Sequence, residues 1–391
     1  MRGRKRIALL LAVILAVTAC ACGRKTTVEA YDTTPPIDLD ETYALYAPDT
    51  VVLTIEGEPV TWQELYYEIV YYARLIEGSE GRALQSWDQI CTILTDENGE
   101  NHAYGEVALR NALVLLTQYH TMHSRLTAAG AVLSQRGQAA ADAVREQVIE
   151  QSFGGDEQAF RDYLAGMYCT EELWSWFNEV DALYQYDGFA LFYGENGSAL
   201  PDEDVYAYAA GDPDGDWTEY VRILQLVLYG GEEEKADTEA AIEAALAGAG
   251  ENASADPSGD PSGASQEDPE TVFGTLYAAY NEEPALDHFP GGRAVYRGDT
   301  EDAIYEAALA LEEYAWTRVP IEGADVYVMR VPVEPDAGVY FDESTGQLLT
   351  LRYYAAWQSY YEMLSGADGW LAGARAEWAE GFEDFSLVSP D

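Results

Sequence analysis

Histidine and cysteine are scarce in this chain, with four of each among 391 residues. Basic residues are few as well: 21 lysines and arginines stand against 70 aspartates and glutamates. The formal charge of −49 excludes nucleic-acid binding, which needs a basic footprint to displace counterions. It also disfavours docking on anionic lipid headgroups, while self-repulsion keeps the chain soluble and resists compaction. Four histidines leave little for a metal centre. Only His120 and His123, three apart on an expected helix, share a face, and no acid completes a ligand set at suitable spacing, so neither metal nor cofactor is expected. Asp212-Pro213-Asp214-Gly215-Asp216 lacks the closing bidentate Glu of an EF-hand loop and reads as a solvated acidic turn. Carboxylates are so abundant that a glycosidase pair picked from them would be chance. There is no Gly-x-Ser-x-Gly, no phosphate-binding loop and no dinucleotide fingerprint. Beyond the first twenty positions there is no long apolar run, so nothing else in the sequence spans a membrane.

That first run carries a message of its own. Arg2, Arg4, Lys5 and Arg6 precede unbroken apolar sequence from Ile7 to Val17, too short for a permanent span but suited to the core of a signal peptide. It ends in Val17-Thr18-Ala19-Cys20, the order read in bacterial lipoprotein processing, so residues 1–19 are expected to be removed and Cys20 lipidated. Cys22 is a poorer candidate, with Ala19 at its −3 position. Diacylation plus an N-acyl group gives the two or more chains that stable anchoring needs. Removal of the four basic residues of the signal takes the charge from −49 to −53. Of the other cysteines, Cys91 and Cys169, the sequence leaves open whether they form a disulfide or stay as buried thiols.

Residues 20–48 read as a flexible tether. Val51–Ile55 is a strand, Glu56-Gly57-Glu58-Pro59 a turn, and Thr61 with Glu64 a capping box that opens a helix from Trp62 to about Ile76. A polar loop is expected over 78–105, then helices near 106–130, 134–151, 156–166, from Thr170 to about Tyr186, and over 201–210. The character changes after Asp216. Residues 219–229 alternate as a strand, 234–248 read as a helix, and Gly250–Pro269 is low-complexity sequence expected to be disordered. Helices over 270–281 and 300–313 follow, then a strand at Val326–Val331. Leu348 to Phe385 reads as a largely helical tail rich in aromatics such as Trp357, Tyr360 and Trp378.

This order resembles the SurA-type and PrsA-type foldases. The strand, Glu-Gly-Glu-Pro-Val-Thr and helix at the start resemble their opening. Phe153-Gly-Gly-Asp-Glu-Gln-Ala-Phe160, Thr170-Glu-Glu-Leu173 and Leu200-Pro-Asp-Glu-Asp-Val-Tyr-Ala-Tyr208 resemble later segments. Arg222-Ile-Leu-Gln-Leu226, Tyr280-Asn-Glu-Glu-Pro284, Gly291-Gly292, Asp302–Leu311 and Val326–Val331 resemble successive pieces of a parvulin-type prolyl isomerase domain. The resemblance implies an α+β chain with a mainly helical chaperone lobe at 50–210, completed by returning C-terminal helices at 345–386. A parvulin-like α/β domain is then inserted at 217–335.

By that resemblance Arg222, Glu283 and Tyr327 hold the places of the catalytic groups, although two of those places ordinarily carry histidine. Ile304, Leu309 and Met329 would line the proline pocket. Arg222 also reads as a surface ion-pair residue and Tyr327 as a packed sheet aromatic. Rotation about an X-Pro bond, with a barrier of about 20 kcal/mol, needs no nucleophile, only an apolar pocket and a donor that favours the twisted amide. The implied function is a lipid-anchored folding factor on the outer face of the bacterial cytoplasmic membrane, with isomerase activity weak or lost. Its partners would be unfolded or partly folded secreted proteins, and it would be a monomer or a homodimer. The other reading is a surface lipoprotein that binds a solute or polysaccharide.

Overall fold

The computed structural model of the chain describes residues 36–95, 100–211, 219–253 and 268–388. The signal segment, Cys20, most of the tether, the Asp212–Asp216 turn and positions 254–267 of the low-complexity stretch lie outside the described residues. What is described is α+β and divides into two units, residues 36–192 with 360–388, and residues 193–359. The second unit therefore takes in Pro201–Ala210 and 336–359, wider bounds than the 217–335 expected of an inserted domain.

Asp38 caps helix α1 (Leu39–Tyr43) by accepting from the amides of Asp40 and Glu41. Strands β1 (Val51–Ile55) and β2 (Glu58–Thr61) pair antiparallel across a turn in which Glu56 and Gly57 both have positive φ. The Thr61 hydroxyl accepts from the Glu64 amide and opens α2 (Trp62–Glu80), which Gly81 ends in the left-handed conformation at φ 69°. The loop expected over 78–105 instead holds a hairpin, β3 (Ile90–Thr95) and β4 (Asn101–Ala103). Glu80 gathers it: its carboxylate accepts from the Thr92 amide and hydroxyl, from Arg82, and from the Tyr104 hydroxyl at 2.5 Å.

Helix α3 (Tyr104–Ala128) follows, then α4 (Gln135–Phe153), α5 (Glu157–Gly166) and α6 (Glu171–Ala182), the last three capped by Ser134, Asp156 and Thr170. A π-helical turn at Leu183–Gly188 leads into α7 (Phe189–Tyr193). The Tyr184 carbonyl of that turn accepts from the Phe189 amide and also from the Tyr360 hydroxyl at 3.1 Å, with the two tyrosine rings stacked 4.7 Å apart.

The chain continues through α8 (Asp202–Ala209), β5 (Val221–Tyr229), α9 (Glu232–Ala253) and α10 (Pro269–Tyr280) to a 3₁₀ turn at Pro284–His288. Then come β6 (Arg293–Val295), α11 (Asp302–Ala310), β7 (Trp316–Ile321), β8 (Ala324–Val331), β9 (Gly338–Asp342) and β10 (Gln347–Thr350). Helices α12 (Leu351–Ser365) and α13 (Trp370–Gly373) and strand β11 (Ala376–Trp378) end the chain. The tail is thus not all helix: it begins in a strand, ends in a strand, and has only one long helix between.

In the helical unit, α2 packs on α3 through Trp62, Leu65, Tyr66, Ile69, Val107, Ala108 and Leu116, all fully buried. Burial of each such side chain contributes about 1.5–3 kcal/mol. Strand β11 pairs antiparallel with β1, Leu53 opposite Trp378, so the three-stranded sheet runs β11-β1-β2. Phe382, Phe385 and Leu387 pack on the same core. Cys91 and Cys169 are both buried free thiols, in separate clusters of that unit, which answers the question the sequence left open.

The other unit is a six-stranded sheet in the order β10-β9-β6-β5-β8-β7. Side chains alternate across it. One face packs Val221, Ile223, Val227, Val326 and Val328 against Ile304, Tyr305 and Ala308 of α11. The opposite face packs Leu224, Leu226, Leu228, Tyr327 and Met329 against Ile242 and Leu246 of α9 and Phe273 and Leu276 of α10.

Candidate functional site

The alternation across β5 and β8 decides where the expected site residues fall. Arg222, Tyr327 and Met329 belong to the face under α9 and α10, whereas Ile304 and Leu309 of α11 belong to the opposite face. The sheet stands between the two halves of the expected proline pocket, so these five residues do not line one cavity.

Arg222 is 5% exposed, and its guanidinium is spent on the backbone. Nε donates to the Gly291 carbonyl at 2.8 Å, Nη2 donates to the same oxygen, and Nη1 donates to the Pro332 carbonyl at 3.0 Å. Glu334 lies 2.8 Å from Nη1. Arg222 is therefore a buried staple for two loops that also pairs with Glu334 and, at 3.6 Å, with Glu270: the expected ion pairing is present, but the residue is not on the surface. Tyr327 is fully buried, and its hydroxyl has no hydrogen-bond partner among the described residues. Burial, with Glu243 and Glu239 of α9 nearby, pushes that phenol up from its ordinary value. The packed sheet aromatic is the reading that holds.

Arg222 pairs with Val331 and Leu226 with Tyr327, a separation of four strand positions or about 13 Å. Glu283 bonds to neither. Its carboxylate accepts from the Tyr229 hydroxyl at 2.5 Å and the Ala285 amide at 3.0 Å, which hold it below the usual carboxylate range. It caps the Pro284–His288 turn. Its phenol partner is Tyr229 and not Tyr327. Cys20 lies outside the described residues.

A cleft opens at a different place, the flank of β5. The ladder to β6 covers Val221, Arg222 and Ile223 and stops at Arg293. Further on, the segment after α10 takes over that flank. The Val227 amide donates to Asn281 Oδ1 at 3.1 Å, the Val227 carbonyl accepts from Glu282 at 3.0 Å, and the Tyr229 amide donates to Glu282 Oε2 at 2.6 Å. Between these two regimes sits Gln225, and there a cavity of about 420 Å³ is lined by Gln225, Phe273, Tyr277, Leu286, Phe289 and Pro290, with Gly292 and Arg293 at one end. Gly292 holds φ at 88°, and a Cβ on it would meet the Ile223 carbonyl oxygen at 2.7 Å, so only glycine lets the loop lie this close to the strand. The Tyr277 hydroxyl donates to Asp287 at 2.6 Å. Arg293 is held by the Val339 carbonyl at 3.0 Å and Asp299 at 2.9 Å, with Phe289 against its guanidinium.

Apolar and aromatic walls beside a strand flank suit an extended polypeptide segment. Of the polar wall groups, Tyr277 and Asp287 are tied to each other and Arg293 to Val339 and Asp299 outside the wall. Sequence reasoning passed over Gln225, Tyr277, Asp287 and Phe289. Gly291-Gly292-Arg293 reads as a tight loop, but nothing in one sequence reveals where a ladder stops. The helical unit has a second groove, about 610 Å³, lined by Leu109, Leu113, Val114 and Leu371 between Glu106, Arg110 and Gln118. Among the described residues no His, Cys, Asp and Glu side chains are grouped to hold a metal ion, and no helix is long and apolar enough to cross a membrane.

No protein-family model and no curated protein matches the chain. Among solved structures, the foldase protein PrsA from Streptococcus pneumoniae is similar at 12% identity over 71% of this chain and 90% of that one, with a TM-score of 0.24. PrsA from Bacillus subtilis is similar at 13% identity over 71% and 88% of the two chains, with a TM-score of 0.26. Both likenesses are distant.

Proposed function

We propose that this chain is a membrane-anchored folding factor, held by a lipidated Cys20 on the outer face of a bacterial cytoplasmic membrane, that grips unfolded or partly folded secreted chains and has weak or no prolyl isomerase activity. The observation that carries the reading is the cleft at Gln225. It offers aromatic walls and strand-flank backbone, which an extended client can use whatever its sequence. The apolar groove on α3 adds a second such surface. The positions of the side chains that the resemblance assigned to catalysis support a reading of weak or absent isomerisation. Arg222 is consumed by two carbonyls, Tyr327 is sealed in a core, and Glu283 caps a turn.

The test uses the soluble chain from Gly23 onward, with two readouts. It is expected to delay aggregation of a reduced, unfolded secreted protein. Phe289→Asp, which puts a charge on the cleft wall, is expected to weaken that protection about tenfold, the equivalent of 1.4 kcal/mol. Exchange NMR on an Ala-Pro peptide is expected to show little or no acceleration of cis–trans exchange. A chain that gives no protection, or that protects equally well with Asp at position 289, removes the cleft as a client site.

A further inference from the structure

The helical unit buries a knot of ionisable side chains that the proposed function does not use. Glu58 stands on β2, Glu64 and Glu68 one turn apart on α2, and His120 and His123 on α3. His120 is 4% exposed and bonded through both ring nitrogens, Nδ1 to Glu58 at 3.1 Å and Nε2 to Glu64 at 2.6 Å. An imidazole that meets carboxylates on both sides must donate on both, which only the protonated ring does. His123 Nδ1 reaches the other Glu58 oxygen at 2.8 Å, and Arg125 reaches Glu56 at 2.6 Å. The hairpin turn Glu56-Gly57-Glu58 is thus fastened to α3 by three side chains and, through His120, to α2. Trp176 of α6 covers the two imidazoles at 4.9 and 5.8 Å. Behind this contact Glu68 is 3% exposed, and its Oε2 has no hydrogen-bond partner among the described residues. On α6, Asp181 receives one hydrogen bond, from the Tyr119 hydroxyl at 2.8 Å. A buried carboxylate with so few donors is held as the neutral acid.

We propose that this cluster is a proton-operated clamp, in which the proton on His120 holds the β1–β2 hairpin against α2 and α3, protons on Glu68 and Asp181 keep the packing behind it uncharged, and their loss at rising pH loosens the helical unit. The inference rests on contacts within that unit and is independent of the folding-factor reading.

The directions agree. Burial, helped by the Glu64 charge, pushes Glu68 up to about 8, and burial pushes Asp181 up to about 7 against the Tyr119 hydrogen bond. Against its own burial cost, the Glu58 and Glu64 carboxylates push His120 up to about 9. Despite its partial burial, the two histidines hold Glu58 down to about 2. A raised carboxyl leaves the folded state holding a proton that the unfolded chain releases. Glu68 and Asp181 therefore weaken the fold as pH rises from their ordinary values of 4.5 and 3.8 to about 8 and 7. A raised histidine stabilises fully below its ordinary 6.5, and that contribution is lost as pH climbs through about 9. Glu58 acts only on the acid side: its contribution is present above 4.5 and lost as pH falls through about 2. Between about pH 5 and 9 the Glu68, Asp181 and His120 contributions each fall over part of the range and none rises, while the Glu58 contribution is constant.

The experiment is calorimetry of the soluble full chain at pH 5, 7 and 8.5. The transition of the helical unit is expected to fall steadily in temperature across the series. Glu68→Gln and Asp181→Asn, which keep shape and remove the ionisation, should raise that temperature at pH 8.5 but hardly at pH 5. The His120 ring signal, one of only four histidines, should titrate near pH 9 by NMR. His120→Gln should destabilise at pH 5 and 7 and reduce the loss between pH 7 and 9 to the part that Glu68 carries up to about pH 8. A wild-type transition that is flat or rises with pH overturns the clamp. So does a Glu68→Gln shift of equal size at pH 5 and 8.5, which a purely steric role would give, and that variant stays informative even where His120→Gln does not fold.

Discussion

Arg222 and Tyr327 sit on one face of one sheet and answer to different forces. The guanidinium is bonded to carbonyls 69 and 110 positions away in sequence. Arg222→Met leaves the Gly291 and Pro332 oxygens without those donors, and we expect a loss of about 2–4 kcal/mol in urea unfolding. Tyr327→Phe removes a buried hydroxyl that bonds to nothing described, so it should be neutral or stabilising by about 1 kcal/mol. The opposite pattern, with Tyr327→Phe costly and Arg222→Met silent, would restore a polar role to the phenol. Alternation in 219–229 and 326–331 made both residues legible as strand positions. Their partners were not, because the carbonyls Arg222 binds come from loops that only the folded chain brings near.

Helix starts were the most legible elements. Thr61 and Thr170 accept from the amides three residues on, as their hydroxyls and the apolar periodicity after them implied. The second half of the Thr61–Glu64 capping box is absent, because Glu64 turns to His120 instead. Thr170→Ala should lower stability by about 1 kcal/mol by leaving the Leu173 amide uncapped, measurable as a shift of the urea midpoint at unchanged slope. Strands were less legible. The strand at 316–321 went unread; it contains Pro320, which is tolerated because β7 is the terminal strand of its sheet. Gln347–Thr350 runs straight into α12, so its apolar residues were absorbed into the helical period. The β3–β4 hairpin is short, and Glu80 ties it down from a helix that precedes it.

At the scale of the molecule, 70 acidic against 21 basic residues set a self-repulsion that every folded arrangement must contain. Salt screens it: the Debye length shrinks from about 30 Å at 0.01 M to about 8 Å at 0.15 M. Raising NaCl from low to physiological strength should therefore raise the melting temperature of the soluble chain by a few degrees, and a fall would mean that specific ion pairs outweigh the repulsion. The two-unit plan was legible from the change of composition near 211–216, but its limits at 192 and 360 were not, since α7 and α12 run across them without a break in helical pattern. The pairing of β1 with β11 carries a consequence for biogenesis. A chain synthesised from its N-terminus makes β1 early and β11 more than 300 residues later. Until Trp378 has been made, β1 offers an open edge to any neighbouring chain, so a polypeptide stalled short of Ala376 is exposed to edge-to-edge aggregation.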